Sequence, residues 1–166
     1  MKRQFYILFS IIVMAIPDGL CQSSENIRVD TLSCVELIDD GGVNYKIIQT
    51  VDLRDNHWVD STRKLVIYYD TKKATIHLPI SDEEVKNFSV EEITRNHNGI
   101  IVNTTQGGGT CIVRRHFILN VIHHQLFLVR IISEYGSFDS EEIETEVQPI
   151  QPHLPIDETE LTPFLL

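Results

Sequence analysis

Two long apolar runs, Thr110 to Val121 and Gln125 to Tyr135, are rich in Val, Ile, Leu and Phe and lie only a few residues apart. β-Branched and aromatic residues suit a pleated surface, and so short a connection brings two strands together antiparallel. The pair therefore predicts a central hairpin. With His123-His124 as a two-residue turn, Ile118 faces Val129, Leu119 faces Leu128 and Phe117 faces Arg130. Both faces of the hairpin carry bulky apolar groups, as in a strand that is covered on both sides or lines a barrel.

The rest of the body follows the same period. Val43, Tyr45, Ile47 and Val51 alternate with Asn44, Lys46, Thr50 and Asp52 after Gly41-Gly42, which is the pattern of a half-buried strand. Leu65 to Tyr69 and Ala74 to Leu78 flank the polar stretch Asp70 to Lys73 and predict a second hairpin. Asn98-Gly99 is a turn pair leading into Ile100, Ile101 and Val102. One segment breaks the pattern: Asp82 to Arg95, with Ser81 as N-cap and Glu84 in the capping-box position, admits one short helix. The expected class is all-β, an antiparallel β-sandwich or a small β-barrel.

At the N-terminus, Lys2 and Arg3 precede an apolar run of 12 residues, Phe5 to Ile16, and Pro17 ends it. A helix crossing a bilayer needs roughly 20 apolar residues, so the run reads as a signal peptide and leaves no transmembrane anchor after cleavage. Gly19 and Cys21 supply small side chains for a cut before Gln22. Lipidation of Cys21 competes with that reading, but Asp18, Gly19 and Leu20 are a poor approach to a lipidated cysteine. Residues 1–21 are thus expected to be removed, and residues 22–138 to form a single domain. The destination is the periplasm or the cell exterior.

In an oxidising compartment the two remaining cysteines, Cys34 and Cys111, are expected to pair. Residues 22–138 hold 12 Lys and Arg against 15 Asp and Glu, whereas residues 139–166 hold eight acids and no base. No basic stripe offers nucleic acid a footprint. The acidic end carries Pro149, Pro152, Pro155 and Pro163 and is expected to be an extended or disordered tail. Its last residues, Phe164, Leu165 and Leu166, are a candidate docking handle.

Candidate chemistry is sparse. Asp55, His57, Trp58 and Asp60 form a polar loop with one large aromatic; it is a candidate hydrolase or ligand site, although a Trp in such a place more often folds back onto the core. Arg114, Arg115 and Arg130 cluster on the long hairpin as a candidate carboxylate, phosphate or partner clamp, against the plainer role of edge-guarding charges. Gly107-Gly108-Gly109 lacks the Lys-Ser/Thr of a phosphate loop and reads as a bend between strands. The seven histidines show no zinc spacing, so no metal or cofactor is expected. Asn87-Phe88-Ser89 and Asn103-Thr104-Thr105 fit the glycosylation pattern.

From Gly107 to Asp139 the chain resembles small exported bacterial β-sheet proteins of unknown function. A glycine-rich turn leads into a two-strand hairpin that ends in Glu134-Tyr135-Gly136-Ser137-Phe138-Asp139; the group's usual Gly-containing hairpin turn is replaced by His123-His124. The resemblance implies export and an antiparallel fold, and it carries over no site residue. Together these features point to an exported binding or protein-interaction module, with an envelope protein or glycan as partner. The alternative is a small secreted hydrolase using Asp55, His57 and Asp60.

Overall fold

The computed structural model describes residues 27–79, 87–108, 111–137 and 140–165. The expected signal peptide, and the N-cap and residues 82–86 of the expected helix, lie outside the described residues. Among the described residues there are ten strands: β1 (Ile27–Ile38), β2 (Asn44–Arg54), β3 (His57–Tyr69), β4 (Lys72–His77), β5 (Ser89–Asn96), β6 (Gly99–Gly108), β7 (Cys111–Ile122), β8 (Gln125–Ser137), β9 (Ser140–Pro155) and β10 (Glu158–Glu160). A 3-10 turn, Thr162–Phe164, follows them. Residues 89–95 of the expected helix are therefore strand. Val90, Ile93 and Thr94 are half-buried there, and pairing with β6 outweighs the local capping signal.

The strands form two five-stranded sheets, β1-β2-β3-β4-β10 and β5-β6-β7-β8-β9. Each is a meander of antiparallel neighbours except for β10, which pairs with β4 in parallel. Of the two architectures expected from the alternating sequence, this is the sandwich; the sheets do not close into a barrel. Tight turns make the meanders. Asp55-Asn56 and His123-His124 both have positive φ at their two central positions, the geometry whose twist matches paired strands and that Asn, Asp and His tolerate best. Gly42, with φ of 84°, provides the left-handed step between β1 and β2.

One face of each meander is apolar, and the two faces bury each other. Tyr45, Ile47, Leu65, Ile67, Tyr69 and Ile76 from the first sheet meet Ile100, Val102, Phe117, Leu119, Leu126, Leu128 and Ile131 from the second. Several buried polar atoms are paired, although Thr50 Oγ1 is buried without a hydrogen-bond partner among the described residues. The Leu126 amide donates to Tyr69 Oη across the sheets at 3.2 Å. Tyr45 Oη donates to the buried Asp39 at 3.0 Å, and the Val43 amide donates to the same carboxylate at 2.9 Å.

The long hairpin pairs Leu119 with Leu128 as expected, but between Ile118 and Leu119 the register slips and Val129 is left as an extra residue. Ile118 then faces Arg130, and Phe117 faces Ile131. The reason is visible in the burial pattern: Leu126 and Leu128 point inward, then Ile131 and Ser133 do. Without the bulge, Arg130 would enter the core and Ile131 would leave it; one unpaired residue costs less than a buried charge.

No disulfide joins Cys34 to Cys111, contrary to expectation. Cys34 pairs with Ile48, in phase with exposed Lys46 and Asn44 and out of phase with buried Tyr45 and Ile47. It thus faces away from the second sheet, where Cys111 sits on β7.

The acidic C-terminal segment is extended, one of its two expected forms, but it is paired and packed. Residues 140–155 form β9 on the edge of the second sheet. The chain then crosses to the first sheet, where the Thr75 amide donates to the Asp157 carbonyl and β10 lies beside β4. Ile156, Leu161 and Leu165 are each 3% exposed and belong to the core. Composition suggested a loose tail because its acids and prolines are numerous; Ile156, Leu161 and Leu165, however, are spaced so that they land in the seam.

Burying a leucine or isoleucine fully stabilises a fold by roughly 1.5–3 kcal/mol, so three of them rival the whole net stability of a small domain, about 5–15 kcal/mol. Deleting residues 156–166 is expected to destabilise the protein by about 5 kcal/mol or more in urea melts. A change under about 1 kcal/mol would show that the segment is not part of the folding unit.

Tyr45 makes a second prediction. Burial, reinforced by the hydrogen bond and charge of Asp39, drives its phenol well above the ordinary tyrosine range. The folded chain keeps this proton where the unfolded chain gives it up, at about pH 10. Its contribution is thus intact below that value and is lost as pH rises toward the folded one. Stability should fall above about pH 10, and Tyr45→Phe should flatten the decline even though it weakens the fold at neutral pH.

Candidate functional site

The sequence-predicted polar loop lies at the far end of the first sheet. Beyond Thr50 and Lys64 the β2–β3 register is interrupted, resuming at Asp52 opposite Val59, so Asp60 to Arg63 bulge out of β3. Thr62 holds this bulge: its hydroxyl donates to the Val59 carbonyl at 2.7 Å and accepts from the Asp52 amide at 2.8 Å. Asp60 pairs with Arg63 at 2.8 Å. Past the bulge, the hairpin runs on to the Asp55-Asn56 turn.

Trp58 sits on this extension, opposite Leu53, which lies opposite Arg28. It does not fold back onto the core: it is 54% exposed. Its indole Nε1 donates to Asp30 Oδ2 at 3.0 Å, and the Thr31 amide donates to the other oxygen of that carboxylate at 2.9 Å. Arg28 Nη2 donates to Asn56 Oδ1 at 3.0 Å. The edge strand β1 thus grips the hairpin tip twice and fixes the ring orientation, while Ile27 and Val29 stand 52% and 64% exposed on the same end. The sequence could not show this, because the register that puts Asp30 within reach of Trp58 spans three strands.

The hydrolase candidates are not drawn into one constellation. Asp55 occupies the turn, His57 follows it, and Asp60 is engaged by Arg63; among the described residues neither aspartate hydrogen-bonds His57.

The arginine cluster is also split. Arg115 points inward and is 8% exposed, whereas Arg114 and Arg130 are exposed. Its Nη1 donates to Gln106 Oε1 at 2.5 Å and its Nη2 to the Leu165 carbonyl at 3.1 Å. Burial lowers the guanidinium from its ordinary value, and Tyr135 and Glu146 act in the opposite direction. Arg115 is therefore a structural tie for the C-terminal segment. Leu165, one of the proposed docking residues, is the residue it holds; Phe164 packs partly against the core, and Leu166 lies outside the described residues.

Two features escaped the sequence reading because only cross-strand register assembles them. On the outer face of the second sheet, His116 Nδ1 lies 2.7 Å from Asn103 Oδ1 and its Nε2 lies 3.5 Å from Glu134; this Asn103 is the asparagine of the second glycosylation tripeptide. On the outer face of the first sheet, a depression of about 450 Å³ is lined by Glu36, Ile38, Asn44, Lys46, Tyr68 and Asp70. It lies at the other end of β3 from Trp58. Lys46 and Glu36 pair within it at 3.0 Å. Among the described residues no group of three or more His, Cys, Asp or Glu is placed to hold a metal ion, and no helix is long and apolar enough to cross a membrane.

No protein-family model matches the chain, and no curated protein or solved structure matches it at a significant level.

Trp58 is the sole tryptophan, so its environment can be read directly. Its fluorescence should respond to acrylamide nearly as much in the native as in the unfolded chain. Trp58→Ala should change stability by no more than about 1 kcal/mol. A strongly protected, blue-shifted indole would place the ring in the core and remove it as a surface feature.

Proposed function

We propose that this chain is an exported, non-catalytic binding module of the bacterial periplasm or cell exterior, which engages a protein or glycan of the envelope through the Trp58 end of its first sheet. The observation that carries the reading is a large aromatic ring left more than half exposed and yet oriented by a hydrogen bond to Asp30. Exposed tryptophans with apolar neighbours are the residues that dominate binding energy at interfaces. A ring already held in place loses little freedom when a partner covers it. Arg28 and Leu53 are in register with Trp58 and flank the ring on its own face of the sheet, Asp30 adds a negative charge beside it, and Ile27 and Val29 alternate onto the opposite face; charges of both signs next to an aromatic suit a specific contact and do not suit indiscriminate adsorption.

The test compares the mature chain with its Trp58→Ala and Tyr68→Ala variants, fluorescently labelled, on a glycan array and on immobilised envelope protein fractions. Binding to one of the two supports should drop at least about tenfold on removal of Trp58, the scale of an interface hot spot, and should persist in the Tyr68 variant. Binding untouched by Trp58→Ala would refute this surface as the site.

A further inference from the structure

Every open sheet edge offers unpaired backbone amides and carbonyls to another strand, and proteins blunt such edges with short strands, bulges, prolines or lysines. In this sandwich three of the four edges are blunted. β10 has three residues. β5 is broken by a bulge between Val90 and Glu92. β1 is broken between Thr31 and Ser33, and the turn that follows it is stitched to the second sheet, with Asp40 lying 3.9 Å from Arg95 and 3.6 Å from His97.

The fourth edge, β9, also shifts register twice, between Ser140 and Glu144 and again after Pro149, but at 16 residues it is the longest of the four edge strands, and between those shifts it pairs without interruption from Glu144 to Pro149. Its prolines begin only at Pro149, and it contains no lysine or arginine. Along the stretch before that proline, Ile143 and Val147 are 57% and 54% exposed and alternate with Glu144 and Glu146. Val147 lies opposite Ile132 and Glu146 opposite Ser133, so the apolar side chains line the outer face of the sheet and the acids the other.

The charge selects the occupant. A second copy laid against this edge would set glutamates against glutamates, and like charges across a strand pair are destabilising. A strand carrying lysine or arginine at alternate positions would meet opposite charge on one face and apolar side chains on the other. We infer that the β9 edge from Glu142 to Gln148 docks an extended basic segment of a partner protein by strand addition. Main-chain hydrogen bonds supply the affinity in such a complex, and the alternating side chains supply the choice of partner. This surface is separate from the Trp58 end and stands or falls independently of it.

The probe is an end-blocked eight-residue peptide alternating lysine and valine; its control alternates glutamate and valine. With the full mature chain, fluorescence anisotropy should show binding of the basic peptide at least tenfold tighter than the acidic one and weakening with added salt. Hydrogen exchange on the unaltered protein should slow in residues 142–148 when the basic peptide is present. Ile143→Lys with Val147→Lys, and separately Glu144→Lys, should abolish binding with unchanged melting curves, while Trp58→Ala should leave it intact. Equal binding of both peptides, protection confined to β1 or to the Trp58 end, or affinity unaffected by the β9 variants would each overturn the proposal. So would a concentration-dependent dimer that the lysine variants dissolve, since the edge would then be occupied by a second copy.

Discussion

The two meanders touch through a single slab of apolar side chains, and among the described strands the chain order passes between them twice, from β4 to β5 and from β9 to β10. Each sheet would expose one whole hydrophobic face on its own, so neither can be stable apart from the other. The second crossing matters more than its length suggests. By placing β10 beside β4 and sending Ile156, Leu161 and Leu165 into the seam, the C-terminal segment adds a fifth strand to one sheet while its own β9 is the fifth strand of the other. Arg115 then ties the Leu165 carbonyl to β7 from inside, where a lost donor would leave a buried carbonyl without a partner.

Much of this was legible from alternation alone. Tyr45, Ile47 and Val51 were read as the apolar phase of their strand by period two, and the recurrence of that period gave the all-β class, sandwich or barrel. What escaped reading was phase. Val129 is an ordinary strand residue by composition, and only the competition between Arg130 and Ile131 for the core makes it a bulge. The same holds for residues 89–95, where a helix-compatible local pattern yields to a neighbouring strand. Cys34 was assigned a partner by counting, and counting is blind to which face of a sheet a thiol occupies.

The C-terminal segment shows where compositional reasoning about disorder breaks down. Eight acids and four prolines in 28 residues lower the mean hydropathy enough to predict a loose tail. Burial, however, depends on where the apolar residues fall. Here the acids of β9 are borne on a sheet edge where water still reaches them, the prolines from Pro149 on coincide with the second register shift of that strand, and the few large apolar groups after Pro155 fall where the two sheets meet. The candidate sites were less legible than the fold for a related reason. Trp58, Asp30, Arg28 and Asn56 come from three strands, and no local spacing brings them together.

What packing does not require is the best guide to what the molecule is for. The inward residues of both sheets are explained by burial, and Asp39, Thr104 and Arg115, though buried and polar, by their hydrogen bonds. Nothing in the core asks the β2–β3 hairpin to continue past its Asp60 to Arg63 bulge, nor for a tryptophan to stand there. Nothing in the core asks the outward positions of β9 to be Ile143 and Val147, when polar residues there would protect the edge. An exposed aromatic costs solubility and an open apolar edge invites aggregation; both liabilities are retained in a chain that elsewhere guards its edges with bulges, short strands and ion pairs. On the proposed reading, the hydrogen bonds that orient Trp58 and the glutamates that disfavour self-pairing of β9 would restrict each surface to a partner of particular shape or charge, and that selectivity is what would separate a binding surface from a flaw.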